Sequence, residues 1–298
     1  MDATCGRKHA DNGDIAVIRI GDEGYPPLLR EIADPPLALY VRGNAAALTH
    51  PLPIAVVGTR TMTSYGSAAV RLVTGPIAGA GAAIVSGLAL GIDAAAHAAA
   101  LDAGGATIAV LAGGVDAASV GPRTNSGLAE RIVASGGALV SERPPGAAPN
   151  KMAFPRRNRI IAGISRGTVV IEAAARSGSL ITAYLALESG RDVFAVPGPI
   201  TSPASAGTNG LIRRGAVPAT CADDVLSGYG IVADAPARQP GPRDERERAV
   251  LRALERGPRT ADSVALGAGL DIRETLAALA SLVVAGRVAD DGGFYMKN

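Results

Sequence analysis

The chain has 298 residues, 48% of them hydrophobic and 19% charged, which is typical of folded domains rather than of disordered segments. Its net charge of +2 argues against a basic field over the whole surface. Only 3% of the residues are aromatic and none is tryptophan, so few side chains could stack on nucleic-acid bases. Cys5 and Cys221 are too few and too distant for a disulfide framework or a metal site, so we expect no metal and no cofactor.

The first 14 residues are polar and lack the apolar segment of a signal peptide. An uncharged stretch, residues 77–92, is shorter than the roughly 20 residues of a membrane-spanning helix and is interrupted by glycines. We therefore expect a soluble, cytoplasmic protein that makes no membrane contact.

Residues 1–53 are predicted to form a short N-terminal lead-in, in which Tyr25-Pro26-Pro27 opens a helix and Asp34-Pro35-Pro36 closes it. From residue 54 to 230, apolar runs alternate with amphipathic or alanine-rich segments of helical length. The runs predict strands at residues 54–57, 83–85, 107–111, 138–140, 168–171 and 193–196. Such alternation predicts an α/β fold with right-handed crossovers and a mostly parallel sheet that carries helices on both faces.

The C-terminal part of the chain differs in composition. Residues 231–243 include three prolines without periodicity and are interpreted as a linker, and residues 244–298 have the helix and hairpin spacing of a winged-helix module. Residues 244–298 contain eight Arg and Lys against nine Asp and Glu, and the candidate recognition helix at residues 272–286 offers only Arg273. DNA binding by this module is a weaker alternative than protein contact or packing on the main domain.

Small residues follow several predicted strands, at the sheet edge where open parallel sheets bind ligands. The segments are Gly58-Thr59-Arg60, Ser86-Gly87, Ala112-Gly113-Gly114 and Arg176-Ser177-Gly178-Ser179. Backbone N–H groups and helix N-termini in such loops can face an anion. One glycine-containing turn would reflect geometry alone, but several at one edge predict a phosphate-rich ligand. The two serines are interpreted as helix-capping or phosphate-donating groups rather than as nucleophiles.

A basic cluster lies between two predicted strands. It contains Lys151, Phe154, Arg156, Arg157, Asn158 and Arg159 and no acid. A charge run is usually a solvated helix surface, but like charges this dense repel one another unless an anion neutralises them. Because Phe154 is one of only three phenylalanines and lies inside the cluster, we favour a groove for single-stranded nucleic acid.

Signatures of an enzyme are mostly missing, since the sequence has neither a P-loop nor a dinucleotide fingerprint. Asp93 and His97 are four residues apart and could share a metal or a proton; without a third ligand nearby, a contact between them that orients a loop is expected. The alternative function is a nucleotide-phosphate-binding enzyme of the phosphoribohydrolase type. Glu172 could be its acid, although we expect Glu172 to orient arginine or backbone groups, and Glu188 lies nearly two helical turns beyond Thr182. The protein is therefore not expected to be an enzyme.

Taken together, the motifs resemble those of the DprA (Smf) DNA-processing proteins over residues 25–226, and the C-terminal tail resembles that family's C-terminal module. The motifs are Val57-Gly58-Thr59-Arg60, Ser86-Gly87-Leu88-Ala89, Gly91-Ile92-Asp93, Phe154-Pro155, Arg157-Asn158-Arg159, Ser177-Gly178-Ser179 and Val196-Pro197-Gly198. Two departures are that residues 1–24 are too few for the helical domain often found there, and that Val120-Gly121-Pro122 replaces a usual Tyr-Pro pair.

The resemblance implies an extended Rossmann-like domain with a small C-terminal winged-helix module. It also implies a homodimer that binds single-stranded DNA and helps to load the RecA recombinase onto DNA coated by single-strand-binding protein, chiefly in natural transformation. The family's DNA pocket corresponds here to Arg60, Lys151, Phe154 and the Arg157-Asn158-Arg159 segment, with the Ser-Gly turns around it. Our hypothesis is that Arg60, Lys151, Arg157 and Arg159 neutralise about four phosphates, which predicts a slope near −3 for log K against log salt.

Overall fold

The computed structural model describes residues 15–149, 152–231, 244–284 and 287–297. The chain divides into two compact units, residues 1–233 and residues 234–298. In the described ranges, every helix is too short or too polar to cross a bilayer.

The first unit contains a nine-stranded sheet. Its strands are β1 (Ile15–Arg19), β2 (Ala38–Gly43), β3 (Pro53–Val57), β4 (Ala83–Ser86), β5 (Thr107–Val110), β6 (Ala138–Ser141), β7 (Gly167–Val170), β8 (Asp192–Ala195) and β9 (Val217–Pro218). They are arranged in the order β1-β2-β6-β5-β4-β3-β7-β8-β9. The strands from β3 to β9 pair in parallel, whereas β1 pairs antiparallel with β2, and β2 with β6. All six predicted strands are present, with ends shifted by at most one residue.

Helices cover both faces of this sheet. They are α1 (Pro27–Arg30), α2 (Ser64–Gly79), α3 (Ile92–Asp102), α4 (Ser126–Ala134), α5 (Ala153–Ile164), α6 (Ser179–Glu188), α7 (Ala206–Ile212) and α8 (Asp223–Leu226). Alternate residues of β3 enter different cores: Ala55 and Val57 pack with residues of α5 and α6, and Ile54 and Val56 pack with residues of α2 and α3. A strand buried on both faces needs a continuous apolar run, and this run is the pattern that predicts β3 from the sequence.

The predicted boundary at residue 53 does not separate the lead-in from the sheet. β1 and β2 extend the sheet beyond β6, and Tyr25 is buried, with its hydroxyl donating to the carbonyl of Pro36 at 2.7 Å. These strands pair antiparallel and need no crossover helix, so the alternation of strands and helices does not reveal them. The sequence of β1, Ile-Ala-Val-Ile-Arg, does contain an apolar run, although only Ile18 of it is buried.

The chain direction across the sheet reverses between β3 and β7. β3, β4, β5 and β6 follow one another toward one edge, and β7, β8 and β9 follow one another toward the other edge. The loops after β3 and β7 therefore diverge and leave a crevice at the carboxyl ends of the strands. The sheet topology places a ligand site at this point.

The second unit has three helices and a small antiparallel sheet. Its elements are α9 (Glu245–Ala253), β10 (Arg259–Thr260), α10 (Ala261–Ala268), α11 (Ile272–Val284), β11 (Val288–Asp291) and β12 (Phe294–Lys297). Gly292 and Gly293 form the turn between β11 and β12 at φ values of 62° and 90°, which favour glycine. The predicted winged-helix arrangement is confirmed.

Candidate nucleic-acid interface

A cleft of about 310 Å³ opens between the loops that follow β3 and β7. We call it the basic cleft; its lining includes Gly58, Arg60, Asp93, Phe154, Arg157, Asn158, Ser177, Gly178 and Ser179. Most of them belong to separate segments of the sequence, which the parallel sheet brings to one edge. The predicted convergence of the loops after β3 and β7 with the start of α5 is therefore found in the structure.

Arg60 lies exposed at the cleft with its guanidinium over the ring of Phe154, 4.9 Å from the ring centroid. A guanidinium on an aromatic face gains a cation–π interaction and keeps its N–H donors at the ring edge. Arg60 forms no ion pair with a carboxylate of the described ranges. Its charge is thus available to an external anion.

Asn158 and the Ser177–Ser179 loop form the opposite side of the basic cleft. The hydroxyls of Ser177 and Ser179 lie 2.8 Å apart, and the Asn158 amide donates to the carbonyl of Gly178 at 3.5 Å. α6 begins at Ser179, so the positive end of its dipole lies at this loop. The serines do not cap α6 as predicted, since Gly178 is its N-cap residue and makes no side-chain cap; the Ser177 hydroxyl accepts from the Ser179 N–H at 3.4 Å. The loop can still place donors beside an anion.

Arg157, which the sequence analysis assigned to a phosphate, has a buried side chain. Its guanidinium is buried and donates to the carbonyl of Gly87 at 2.7 Å and to the carbonyl of Val110. Because Nη1 is committed to backbone carbonyls and Nε donates to the Asn158 amide oxygen at 3.3 Å, this conformation argues against the prediction that Arg157 neutralises a DNA phosphate, although the side chain lines the basic cleft. It links α5 to the loop after β4 and to the last residue of β5.

The end of β4 and the residue after it, Ser86 and Gly87, have structural roles beside Arg157. Ser86 is fully buried and donates to the carbonyl of Val56 at 2.6 Å. A Cβ on Gly87 would lie 2.2 Å from a guanidinium nitrogen of Arg157, so glycine is required for the close approach. The predicted DNA contact of Ser86 is thus replaced by a structural role, whereas the predicted contact of Gly87 stays a prediction, because Gly87 also lines a second cleft described below.

Asp93 is buried beside these groups at the start of α3. Burial raises its pKa, and the Arg157 guanidinium and the N–H groups of Ala89 and Gly87 oppose that rise. His97 does not contact Asp93 as expected: its Nδ1 lies 2.7 Å from the Thr107 hydroxyl, which donates to the carbonyl of Ile84. Burial, followed by the Arg157 charge, lowers the pKa of His97 to about 3, so the imidazole is neutral.

Arg156 and Arg159, the other two arginines of the predicted basic cluster, do not line the basic cleft. Arg159 is mostly buried in ion pairs with Glu142 and with Asp34, the latter at 3.2 Å, so its proposed phosphate contact is also wrong for this conformation. Arg156 is exposed and lines a separate groove with Glu142 and Met152. The run of cations therefore divides among different surfaces because successive residues of a helix point about 100° apart.

Glu172 follows β7 and holds the start of α2. Its carboxylate accepts from the Thr63 backbone N–H at 3.1 Å and from the Thr63 hydroxyl at 2.6 Å, and its carbonyl accepts from the Thr59 N–H at 2.7 Å. The carboxylate is buried, in agreement with the expectation that it orients backbone groups. A Cβ on Gly58 would lie 2.9 Å from the Glu172 carbonyl, so Gly58 and Thr59 fix the turn that presents Arg60.

Gly113 belongs to a second cleft, of about 170 Å³. Its lining includes Leu90, Leu111, Ala112, Gly113, Gly121, Pro122 and Pro149, and we call it the apolar cleft. Arg60, Ala89 and Phe154 line both clefts. Sequence reasoning did not anticipate a second cleft, because the lining comes from four loops and the start of a helix.

Family comparisons agree with this architecture. Residues 16–230 match the model of DNA recombination-mediator protein A, and residues 234–293 match the DprA winged helix domain. The chain belongs to the DprA (Smf) family. Among relatives, Protein Smf of Escherichia coli K12 is 42% identical over 290 residues, which cover 94% of this chain and 77% of that protein. DNA processing protein DprA of Bacillus subtilis is 46% identical over 212 residues, or 71% and 70% of the two chains.

Two solved DprA structures share the fold. DprA from Streptococcus pneumoniae superposes with a TM-score of 0.67 at 45% identity, covering 72% of this chain and 74% of that one. DprA from Helicobacter pylori superposes with a TM-score of 0.65 at 29% identity, covering 73% of this chain and 96% of that one. The Helicobacter structure is described as giving insight into a unique single-stranded DNA binding mode of that protein.

Of the DNA pocket implied by the DprA resemblance, the structure brings together Arg60, Phe154 and Asn158. Lys151 lies outside the described residues. Ile161 also lines the basic cleft but was not predicted. Phe154, Asn158 and Ile161 are spaced as successive turns on one side of α5, so helical periodicity could have identified Ile161 once Phe154 was chosen.

Proposed function

We propose that this DprA family member binds single-stranded DNA in the basic cleft without sequence preference. The exposed guanidinium of Arg60 over the Phe154 ring, at the topological switch of the sheet, is the observation that carries the proposal. Arg60 and Lys151 contact phosphates, Asn158 and the Ser177–Ser179 loop donate hydrogen bonds, and Phe154 contacts a base. A duplex keeps its bases stacked inside, so an aromatic ring on a cleft wall favours a single strand.

Salt dependence tests how many phosphates the protein neutralises. With Arg157 and Arg159 committed elsewhere, two of the four originally predicted cations remain, and log K against log salt is expected to have a slope near −1.4, since each phosphate on a single strand contributes about −0.7. The measurement is a filter-binding titration of single- and double-stranded oligonucleotides over a range of salt concentrations. A slope near −3 would mean that further cations reach the strand, and equal affinity for duplex would contradict the preference for a single strand.

The biological role that we propose is recombination mediation. As a cytoplasmic homodimer, the protein helps to load RecA onto single-stranded DNA coated by single-strand-binding protein, in DNA processing and natural transformation; membership of the DprA family supports this role. RecA ATPase activity on coated single strands should rise when the protein is added, and sedimentation should give the mass of a dimer. No increase with wild-type protein that binds DNA would remove the loading role but not the DNA site.

The winged-helix unit is proposed to contribute little to DNA affinity. Its basic side chains include Arg248 and Arg252, both paired with Glu245, and Lys297, which pairs with Glu255. A chain ending at residue 235 should therefore keep single-strand affinity within a few fold of the full chain. If its affinity collapses, the DNA site lies in the winged-helix unit.

We also propose that the protein is not an enzyme. The Glu172 carboxylate, the candidate acid of a phosphoribohydrolase, is buried and accepts two hydrogen bonds from Thr63. A general acid or base has to reach its substrate, and this carboxylate does not line the basic cleft. Incubation with nucleoside monophosphates should release no free base, and release that a Glu172→Gln variant loses would establish the enzymatic alternative.

A further inference from the structure

The loop between β4 and α3 contains a strained residue. Leu88 has a φ of 55°, and within the ranges that the structure describes it is the one residue other than glycine with a positive φ. In this left-handed region the Cβ of a leucine crowds the backbone, so the surroundings have to hold the residue there. Backbone strain of this kind clusters at functional sites. The groups that hold Leu88 therefore indicate what the loop does.

Contacts of three kinds hold this loop. The Leu88 side chain is fully buried in a hydrophobic cluster. The Asp93 carboxylate accepts hydrogen bonds from the backbone N–H groups of Gly87 and Ala89. The carbonyl groups of Leu88 and Ala89 accept from the Nδ2 amide group of Asn125, at 2.9 and 3.2 Å. Side chains thus bind both the donors and the acceptors of the loop backbone.

Asn125 reaches the loop from a distant part of the chain. It is half-buried and ends the 3₁₀ turn Arg123–Asn125, which precedes α4. Both of its partners are carbonyl groups, which only accept, so the carboxamide has to present its two N–H donors to them. The two carbonyls belong to successive residues and directly follow the strained φ of Leu88. One side chain therefore fixes the backbone at the point of strain.

The same loop packs against the turn that presents Arg60. Ile92, the first residue of α3, donates its backbone N–H to the Thr59 carbonyl at 3.1 Å. Gly91 lies so close to this turn that a Cβ would be 2.4 Å from the Thr59 carbonyl oxygen and 2.6 Å from that of Arg60. Ala89 lines both clefts together with Arg60. A displacement of the loop would therefore displace Arg60.

We propose that Asn125 is a positioning residue of the DNA site, which holds the loop after β4 in its strained conformation and thereby fixes Arg60 over Phe154. The inference rests on the proposed function, because it assigns a support to the cation that this function places on a phosphate. Asn125 lines neither cleft, so it acts through the loop and not on the strand. A guanidinium that is already in place loses less freedom on binding, which favours affinity.

The test removes the carboxamide. Asn125→Ala deletes both hydrogen bonds without adding charge. Asn125→Ser leaves a hydroxyl at this half-buried position but is too short to bind both carbonyls, so it serves if the alanine variant does not fold. Asn44→Ala is the matched control, because the Asn44 side chain also holds a turn, by accepting from the Ala46 N–H at 3.1 Å. Asn44 follows β2 at the opposite edge of the sheet, where β6 begins.

Each variant is titrated with an oligothymidylate strand at several salt concentrations, and urea denaturation shows that it is folded. Both Asn125 variants should weaken binding by on the order of tenfold, because Arg60 is no longer held at its phosphate. For the same reason the slope of log K against log salt should become shallower, by up to about 0.7. A smaller folded fraction alone would lower the affinity but leave this slope unchanged. Asn44→Ala should match wild type in both quantities.

Arg60→Ala, alone and combined with Asn125→Ala, separates a positioning role from a merely structural one. If Asn125 acts through Arg60, the double variant should bind no more weakly than Arg60→Ala, because the contact that Asn125 supports is already absent.

Wild-type affinity in the Asn125 variants, an unchanged salt slope, or additive losses in the double variant would overturn the positioning role and leave the proposed function standing. Failure of the wild-type protein to bind the strand, or wild-type affinity in Arg60→Ala, would instead reject the proposed DNA site and, with it, the role of Asn125.

Discussion

The carboxyl edge of the sheet has an inner and an outer region that use the same residue type differently. In the inner region, the guanidinium of Arg157 is buried with Asp93 and bonds to backbone carbonyls. In the outer region, the guanidinium of Arg60 is exposed over Phe154. The difference teaches that the number of cations near a site does not give the number that can bind a ligand.

Replacement of the buried Arg157 should produce the largest effect of these variants, and the effect should be a loss of folding stability. Arg157→Met leaves two buried carbonyls without their donor and removes the positive charge that opposes the rise in the pKa of Asp93, so the free energy of unfolding should fall by about 3–5 kcal/mol. Urea denaturation measures the change. Arg156→Met is the control on the same helix; because Arg156 is exposed, its effect should stay within about 0.5 kcal/mol. Equal stability of the two variants would erase the distinction between the regions.

Replacement of the exposed arginine should affect binding instead. Arg60→Ala should lose about 1.5–3 kcal/mol of binding free energy for single-stranded DNA, because a charge-assisted contact disappears. The slope of log K against log salt should become shallower by about 0.7, whereas folded Arg157→Met protein should keep the wild-type slope. Oligonucleotide titrations at several salt concentrations measure both quantities. A shallower slope in the Arg157 variant would show that this guanidinium reaches a phosphate after all.

Acid should destabilise the inner region through His97. The folded-state pKa of about 3 lies below the ordinary value of 6.5, so between these values the unfolded chain binds a proton that the folded chain excludes. Stability is thus lost as pH falls through this window, by about 2 kcal/mol between pH 6.5 and 5 at about 1.36 kcal/mol per pH unit. His50, whose pKa is also lowered, chiefly by burial, adds a change of the same sign.

Urea denaturation of wild type and His97→Asn over this pH range isolates the contribution of His97. Asparagine can still donate to the Thr107 hydroxyl but does not titrate, so the variant should show a flatter dependence of stability on pH. Parallel profiles for the two proteins would show that His97 carries no part of the acid sensitivity.

The helical periodicity of the α5 sequence indicates which of its residues are buried, whereas the number of its charged residues does not. Ala153, Arg157, Ile160, Ile161 and Ile164 recur at the spacing of one helix face, and all five are buried. Arg157 could therefore have been assigned to the inner region. The acceptors of its hydrogen bonds could not have been identified from the sequence, because the carbonyls of Gly87 and Val110 lie 70 and 47 residues away in the chain.

The sequence by itself determined the alternation of strands and helices, the loops at the carboxyl edge and the family. These follow from local patterns, since a strand buried on both faces must be apolar along its length and a tight turn favours small residues. Only the tertiary structure decided which cations stay exposed and where an apolar cleft lies beside them. Burial and pairing depend on segments that meet across the sheet, such as Arg159 with Asp34 and Phe154 with Arg60, and no local pattern records those meetings.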